Sequence, residues 1–463
     1  MTFDKLTPDT AGIKINPTMG LFGTSGIRRV ADRSLLEIAL KTGLAVGQVY
    51  KSVVVGADTR TSSSAVKHAL ISGLLSAGAE CYDAGALPTP TLALATRDFQ
   101  AGAMVTASHN PPEYNGIKLF NPDGSSFGSR QQRQIEEMIL SDSLPTAPWG
   151  EFKSSANHNG AIDQHIEHIV KSFPGELKLK VILDCGCGAA SVITPYLLER
   201  LGCEVVALNC HPSGFFPHAI EPTEENLGDL IRAVKEMGGI GLAHDGDADR
   251  MMAVDDRGRF IPGDRLLVLF AQQMKAKEVV TTIDASMVIE EMGFRVTRTK
   301  VGDTYVSEQL KESGDFGGEP SGSWVFPKSS LCPDGIYAAA QIVALASRQT
   351  LSALVDNIPR YPILRGSRPN EGTVISDLKK RLMALKPQSV VDIDGLKLVF
   401  ADGWLLVRVS GTEPKIRITA EARTESRARQ LYDSGVRAVK ESILPKEGPA
   451  RRQEVEGSHP RRR

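Results

Sequence analysis

No stretch of this 463-residue sequence reaches ~18 consecutive apolar residues, so nothing in it predicts a membrane-spanning helix. The first twenty residues also contain no apolar run of signal-peptide length. Charge of one sign is not in excess. Lys plus Arg number 54 against 55 Asp plus Glu, and a net charge of -1 offers no field for nucleic acid or an anionic membrane surface. Any charged ligand must therefore be held by local groups. Cysteine is sparse: of six residues only Cys185 and Cys187 stand close together, and no second pair at metal-ligand spacing accompanies them. Reduced thiols in a cytoplasmic protein are expected, with no nucleic-acid and no membrane partner, while assembly into a homo-oligomer stays open. Neither a Walker phosphate loop nor a dinucleotide fingerprint is present.

What is present is length for several domains and an alternation of short apolar runs with helical patterns. From Val53 the order reads strand, helix, strand, helix, strand, ending in Ala101-Gly-Ala-Met-Val105. The same order returns from Lys180 to Ala243 and again, helix first, from Asp264 to Phe316. Three βαβαβ-like units predict an α/β protein with three similar mixed sheets. Past Pro359-Arg-Tyr-Pro362 the character changes to hairpin turns and alternation, which predicts a small antiparallel α+β domain. Residues 1–18 read as an extension before Met19, and the charged stretch 446–463 as a disordered tail. The expected domains are 19–152, 153–254, 255–360 and 361–445.

In open α/β sheets, ligands bind beyond the carboxyl ends of strands. The loops that follow each third strand are Thr106-Ala-Ser-His-Asn110, His244-Asp-Gly-Asp-Ala-Asp-Arg250 and Gly317-Gly-Glu-Pro-Ser-Gly322. In the first, Pro111 and Pro112 stiffen the chain beyond Ser108 and His109. In the second, Asp245, Asp247 and Asp249 alternate, and an extended backbone would turn all three carboxylates to one side. Two such charges ~4 Å apart repel by about 4 kcal/mol at an effective dielectric of about 20, so the triad calls for a hard divalent cation. Oxygen-only ligands favour Mg2+ over zinc. An EF-hand does not fit, because its sixth position would be Arg250 and its twelfth Asp256. Mg2+ beside a strand-end serine points to phosphoryl transfer. The stretch Arg408-Val-Ser-Gly-Thr-Glu-Pro-Lys415 supplies a guanidinium, hydroxyls and glycine-exposed N–H groups suited to a phosphate dianion. Glu319 and Ser321 are the acceptor and donor types that read sugar hydroxyls.

Five motifs, Phe22-Gly-Thr-Ser-Gly-Ile-Arg28, Thr106-Ala-Ser-His-Asn-Pro-Pro112, Asp245-Gly-Asp-Ala-Asp-Arg250, Gly318-Glu-Pro-Ser-Gly322 and Arg408-Val-Ser-Gly-Thr-Glu-Pro414, together resemble the α-D-phosphohexomutase superfamily. The resemblance spans nearly the whole chain and implies four domains around a central cleft. It implies that Ser108 carries a phosphoryl group as phosphoserine, and that Ser108, Asp245, Asp247 and Asp249 hold one Mg2+ per chain. A hexose 1,6-bisphosphate would be intermediate and activator. Arg28, His109 and Lys118 match positions beside the reacting groups, and Lys118 is expected to be the general base or acid, with its pKa lowered by the cation and Arg28. Arg250 and Lys300 would line the cleft, Glu319 and Ser321 would read the sugar, and Arg408, Ser410, Gly411, Thr412 and Arg417 would hold the distal phosphate. Two departures stand out: Ser323-Trp324 occupies the place of a histidine found in many bacterial members, and Arg29 replaces a usual glycine. The variant Gly-Glu-Pro-Ser-Gly-Ser-Trp324 is similar to archaeal phosphoglucosamine mutases, with phosphomannomutase/phosphoglucomutase as the alternative. Outside that class stand a Mg2+-dependent sugar phosphatase and a non-catalytic sugar-phosphate binding protein.

Overall fold

Val53, Val54 and Val55 are fully buried, as are Val181, Ile182 and Leu183 and, further on, Val279 and Val280. Strands with no polar face belong in the interior of sheets covered on both sides, and each of these runs lies in an interior strand of its sheet. The computed structural model describes residues 20–23, 25–141, 144–370, 372–410 and 415–443. Residues 1–18, Gly411, Thr412 and the stretch 446–463 lie outside the described residues.

The first sheet contains β1 (Phe22–Gly23), β2 (Gly26–Val30), β3 (Ser52–Ala57), β4 (Glu80–Ala86), β5 (Ala101–Val105), β6 (Tyr114–Phe120) and β7 (Ser155–Asn157), in the order β1-β2-β6-β5-β3-β4-β7. The second contains β8 (Lys180–Asp184), β9 (Glu204–Leu208), β10 (Ile240–His244) and β11 (Met251–Val254), ordered β11-β10-β8-β9. The third contains β12 (Glu278–Thr282), β13 (Arg295–Thr299), β14 (Phe316–Gly318) and β15 (Trp324–Val325), ordered β13-β12-β14-β15. Each has one plan: three parallel strands with the first in the middle, then an antiparallel return alongside the third. The expected three mixed sheets are therefore present. The three loops singled out in the sequence occupy equivalent places, between the third parallel strand and its return.

One expectation needs correction. β7 pairs in parallel with β4, so residues 155–157 complete the first sheet, whereas the boundary expected at 153 puts them in the second domain. Between β8 and β9 the chain forms a 3-10 turn, Ala189–Val192, and a helix, Thr194–Arg200. Pro195 lies in the first turn of the latter, where its missing N–H and fixed φ suit a helix start.

By contact density the chain divides into two units, the first ending at Arg360 and the second beginning at Tyr361. The second unit is an antiparallel sheet of β16 (Ile363–Pro369), β17 (Ser389–Val391), β18 (Leu396–Phe400), β19 (Gly403–Val409) and β20 (Lys415–Ala422), ordered β16-β20-β19-β18-β17. The helices Ile375–Met383 and Glu425–Glu441 cover it through Leu378, Leu382, Ala428, Leu431 and Val439, which share one apolar core with Leu398, Leu405, Val407, Ile416 and Ile418. No described helix is long and apolar enough to cross a membrane.

Candidate active site

Ser108 follows β5 and has a φ of 52°, in the left-handed region, which costs a non-glycine residue about 1–2 kcal/mol. Such a geometry persists only where the surroundings impose it. Thr106 Oγ accepts from the Ser108 amide at 2.9 Å and donates to the buried Asp58 at 2.7 Å. Thus held, the buried Ser108 Oγ donates to Asp245 Oδ2 at 2.7 Å, and His109 Nδ1 lies 3.4 Å from it.

The three aspartates converge, but not by strand alternation. β10 ends at His244, and the chain then coils through a turn with Ala248 at φ 58° and the Ala248 amide donating back to Asp245 O at 3.3 Å. One oxygen from each of Asp245, Asp247 and Asp249 lies within 4.8 Å of the others. All three are buried, and Oδ1 of Asp247 and Oδ1 of Asp249 have no hydrogen-bond partner. A buried carboxylate oxygen without a partner is costly, and a divalent cation is what removes the cost. The donor set, all oxygen, fits Mg2+.

Lys118, on β6, reaches into the same cluster, its Nζ 2.7 Å from Asp247 Oδ2 and 2.6 Å from Asp249 Oδ2. This overturns the expected fall in its pKa. Burial alone lowers it, but Asp247 and Asp249 outweigh burial and raise it above the ordinary lysine value. The carboxylates respond in turn. Burial and the neighbouring Asp249 and Asp247 push Asp245 well up, burial and Asp247 push Asp249 up, and Asp247, which burial would also raise, is held down by the Lys118 charge and hydrogen bond. His109 is driven far below the usual imidazole range by Arg250, burial and Arg28, so it is a neutral ring. Arg28 Nη1 donates to Asn110 Oδ1 at 2.9 Å, beside the serine.

Arg250 ties the second and third loops together. Its amide donates to Asp245 Oδ1 at 3.2 Å, its Nη1 to Glu221 at 3.1 Å, and its backbone bridges Ser323. The Met251 amide donates to Gly322 O at 3.0 Å and Trp324 Nε1 to Met251 O at 2.8 Å, so the Ser323-Trp324 variation is part of this lacing. Glu319 is buried, accepts from the Gly302 amide at 2.9 Å, and is pushed up to about 8, first by burial and then by Asp303. Ser321 and Lys300 are exposed, and the Lys300 ammonium lies 5.6 Å from the Tyr305 ring centroid. Among the described residues no hydrogen bond or ion pair joins either of them to the aspartate cluster. In the second unit, Arg408 and Arg417 are directly opposite on β19 and β20, two guanidinium side chains on one face of the sheet. Arg408 Nη1 also meets Asp394 at 3.2 Å, and the Ser410 amide donates to Lys415 O at 2.8 Å.

Four family models match in order: the phosphoglucomutase/phosphomannomutase alpha/beta/alpha domains I, II and III at residues 19–145, 163–258 and 262–361, and the C-terminal domain at 369–437. The chain belongs to the phosphoglucomutase/phosphomannomutase family. It is 46% identical over 436 residues to a probable phosphoglucosamine mutase of Methanocella arvoryzae, covering 92% of this chain and 99% of the relative. It is 40% identical over 448 residues to the phosphoglucosamine mutase of Methanocaldococcus jannaschii, covering 91% and 99%. A solved phosphoglucomutase/phosphomannomutase family protein of Burkholderia thailandensis superposes with a TM-score of 0.80 at 30% identity, covering 90% of this chain and 97% of that one. This phosphohexomutase is accordingly an isomerase that moves a phosphoryl group within one sugar.

Three groups of this family member escaped the sequence reading. Thr89 donates to Asp247 Oδ2 at 2.5 Å and its amide to Asp247 O at 2.9 Å. Asp303 accepts from Ser25 Oγ at 2.6 Å and adds its charge to the surroundings of Lys118 and Glu319. Arg60 and Asp58 hold the Ser108 loop from behind. The only signal in the sequence is a pair of charges directly after β3, whose residues 53–57 are all buried.

Proposed function

We propose that this phosphohexomutase interconverts glucosamine 6-phosphate and glucosamine 1-phosphate, with Ser108 Oγ as the phosphoryl carrier. The observation that carries the reading is the Ser108 hydroxyl held against Asp245 at the mouth of a buried carboxylate triad with unpartnered oxygens. The identities of 46% and 40% to proteins named probable phosphoglucosamine mutase and phosphoglucosamine mutase favour the amino sugar. Asp245, Asp247, Asp249 and Ser108 would hold one Mg2+, which when bound supplies neutralisation of charge on phosphate oxygens.

Ser108 in its phosphorylated form gives its phosphoryl group to the free hydroxyl of the hexose monophosphate, leaving a 1,6-bisphosphate. The bisphosphate turns around and returns its other phosphate to Ser108 Oγ. Lys118 Nζ carries the proton of the sugar hydroxyl: its burial favours the neutral amine once its aspartate partners are engaged elsewhere, and their charge favours the ammonium otherwise. Neutral His109 and cationic Arg28 and Arg250 orient the reacting phosphate, Lys300, Glu319 and Ser321 read the sugar, and Arg408, Ser410, Gly411, Thr412 and Arg417 take the distal phosphate. Six free cysteines fit a reducing compartment, and the cytoplasm is the proposed location.

The test is a coupled assay comparing glucosamine 6-phosphate, mannose 6-phosphate and glucose 6-phosphate, each with a trace of its 1,6-bisphosphate. The highest kcat/KM is expected for the amino sugar. A preference for mannose or glucose 6-phosphate would reassign the enzyme to phosphomannomutase/phosphoglucomutase, and net phosphate release without isomerisation would make it a phosphatase.

A further inference from the structure

Behind the Ser108 loop sits a guanidinium closed off from solvent, 3% exposed, with an acceptor for every N–H it owns. Arg60 Nε donates to Asp58 Oδ2 at 3.2 Å. Nη1 donates to the carbonyls of Pro111 at 2.7 Å and Tyr114 at 3.1 Å, and Nη2 to those of Ser108 at 2.8 Å and Asn110 at 2.6 Å. The side-chain amino groups thus spend all their donors on one loop. That stretch contains two prolines and runs unpaired from β5 to the start of β6; the carbonyls of Ser108 and Asn110 have no backbone donor among the described residues, while that of Pro111 also accepts from the Tyr114 amide at 3.1 Å. The guanidinium is itself fixed. Asp58 Oδ1 accepts from the Arg60 amide at 3.0 Å and from Ser63 Oγ at 2.5 Å, its Oδ2 accepts from Thr106 Oγ at 2.7 Å, and the Phe216 ring centroid lies 5.0 Å from Arg60 Cζ.

We infer that Arg60 is a positioning residue for phosphoryl transfer: by gripping the carbonyls on either side of His109 it sets the left-handed backbone of Ser108 and hence the direction of Oγ. The inference rests on Ser108 being the phosphoryl carrier. Because a trans peptide is planar, holding the Ser108 carbonyl toward Arg60 turns the His109 N–H to the opposite side, away from the guanidinium. One cation therefore fixes both the serine and the peptide dipole that follows it. Lysine cannot replace it, since three donors on one nitrogen do not span four carbonyls as a planar five-donor fork does. Arg60 touches no reacting atom, so its loss moves the nucleophile without removing a binding contact. A displacement of about 1 Å costs on the order of 100-fold in rate.

The experiment uses the full-length enzyme with Mg2+, its sugar monophosphate and the matching 1,6-bisphosphate, and compares wild type with Arg60→Lys, Asp58→Asn and Ser108→Ala. Arg60→Lys is expected to lower kcat by roughly 100-fold with KM changed less than about threefold, and to slow single-turnover phosphorylation of Ser108, followed by intact mass, to the same extent. Asp58→Asn, which keeps the shape but frees the guanidinium, should give a smaller fall in kcat, again with KM preserved. If Arg60→Lys does not fold, Arg60→Gln decides by the same kcat and KM readout, since Asp58 also reaches Ser108 through Thr106. A kcat within threefold of wild type, or a loss confined to melting temperature or to KM, overturns the inference. Ser108→Ala separates the two levels. Turnover retained in Ser108→Ala removes the phosphoserine reading and Arg60 with it, whereas turnover lost there but kept in Arg60→Lys removes only the role of Arg60.

Discussion

Glu319 is the residue whose protonation most directly sets a measurable pH dependence. Its folded value of about 8 stands above the unperturbed glutamate value of about 4.3, because burial and Asp303 disfavour the carboxylate. Between those two values the folded chain keeps a proton that the unfolded chain has released, so the stability contributed by neutral Glu319 is complete at low pH and is lost as pH rises toward 8. Glu319→Gln cannot titrate. The melting temperature of the wild type is therefore expected to fall relative to Glu319→Gln between pH 5 and pH 8, read by calorimetry in matched buffers, and parallel curves would show an ordinary carboxylate. Arg250 opposes the shift and limits it. Ser108, Asp245, Asp247, Asp249, Arg250 and Glu319 were all legible as candidates, since polar residues gathered after apolar strands stand out. Their partners were not. The value of Arg60 lies in four carbonyls some fifty residues along the chain, and the rise in the Lys118 pKa depends on which carboxylates face it, neither of which sequence spacing encodes.

Among elements, the helix Gly335–Ala346 has its first turn seated on the aspartate loop. A Cβ at Gly335 would lie 2.5 Å from Arg250 O and 2.7 Å from Ala248 O, both backbone atoms that cannot swing aside. The helix start is pinned as well: Asp334 Oδ1 accepts from the Tyr337 amide at 2.9 Å, and Asp334 Oδ2 meets His165 Nε2 at 3.0 Å, with His165 Nδ1 2.9 Å from Thr91 Oγ. Gly335→Ala is expected to destabilise by about 1–3 kcal/mol, as overpacking does, and to weaken Mg2+ binding on the order of tenfold by displacing Ala248 and Arg250. Urea unfolding and isothermal titration with MgCl2 measure the two effects, and unaltered Mg2+ affinity would mean that the loop absorbs the push. The sequence hid this helix because it is apolar nearly all round, with Ile336, Ala338, Ala339, Ala340, Ile342 and Val343 buried, so no amphipathic stripe marks it. The strand at 101–105 was readable because a five-residue apolar run is too short for a helix and suits the middle of a sheet.

Across the whole molecule, stability and the cation are linked. The triad leaves the folded chain two buried carboxylate oxygens without a hydrogen-bond partner, and an ion that binds only the folded chain returns RT ln(1 + [L]/Kd), about 2.7 kcal/mol at a hundredfold excess over Kd. EDTA should lower the melting temperature and abolish turnover, and added MgCl2 should restore both. Asp247→Asn should blunt the thermal response to MgCl2, whereas an undiminished response would place the ion elsewhere. The division at Arg360 makes the first unit, which contains the triad, the part expected to respond. The left-handed backbone at position 108 has a practical consequence for anyone improving this protein. Glycine there would lose the steric penalty and pass a screen for heat resistance, yet it would remove the hydroxyl proposed to carry the phosphoryl group, so survivors of a selection for robustness alone are to be assayed for turnover as well.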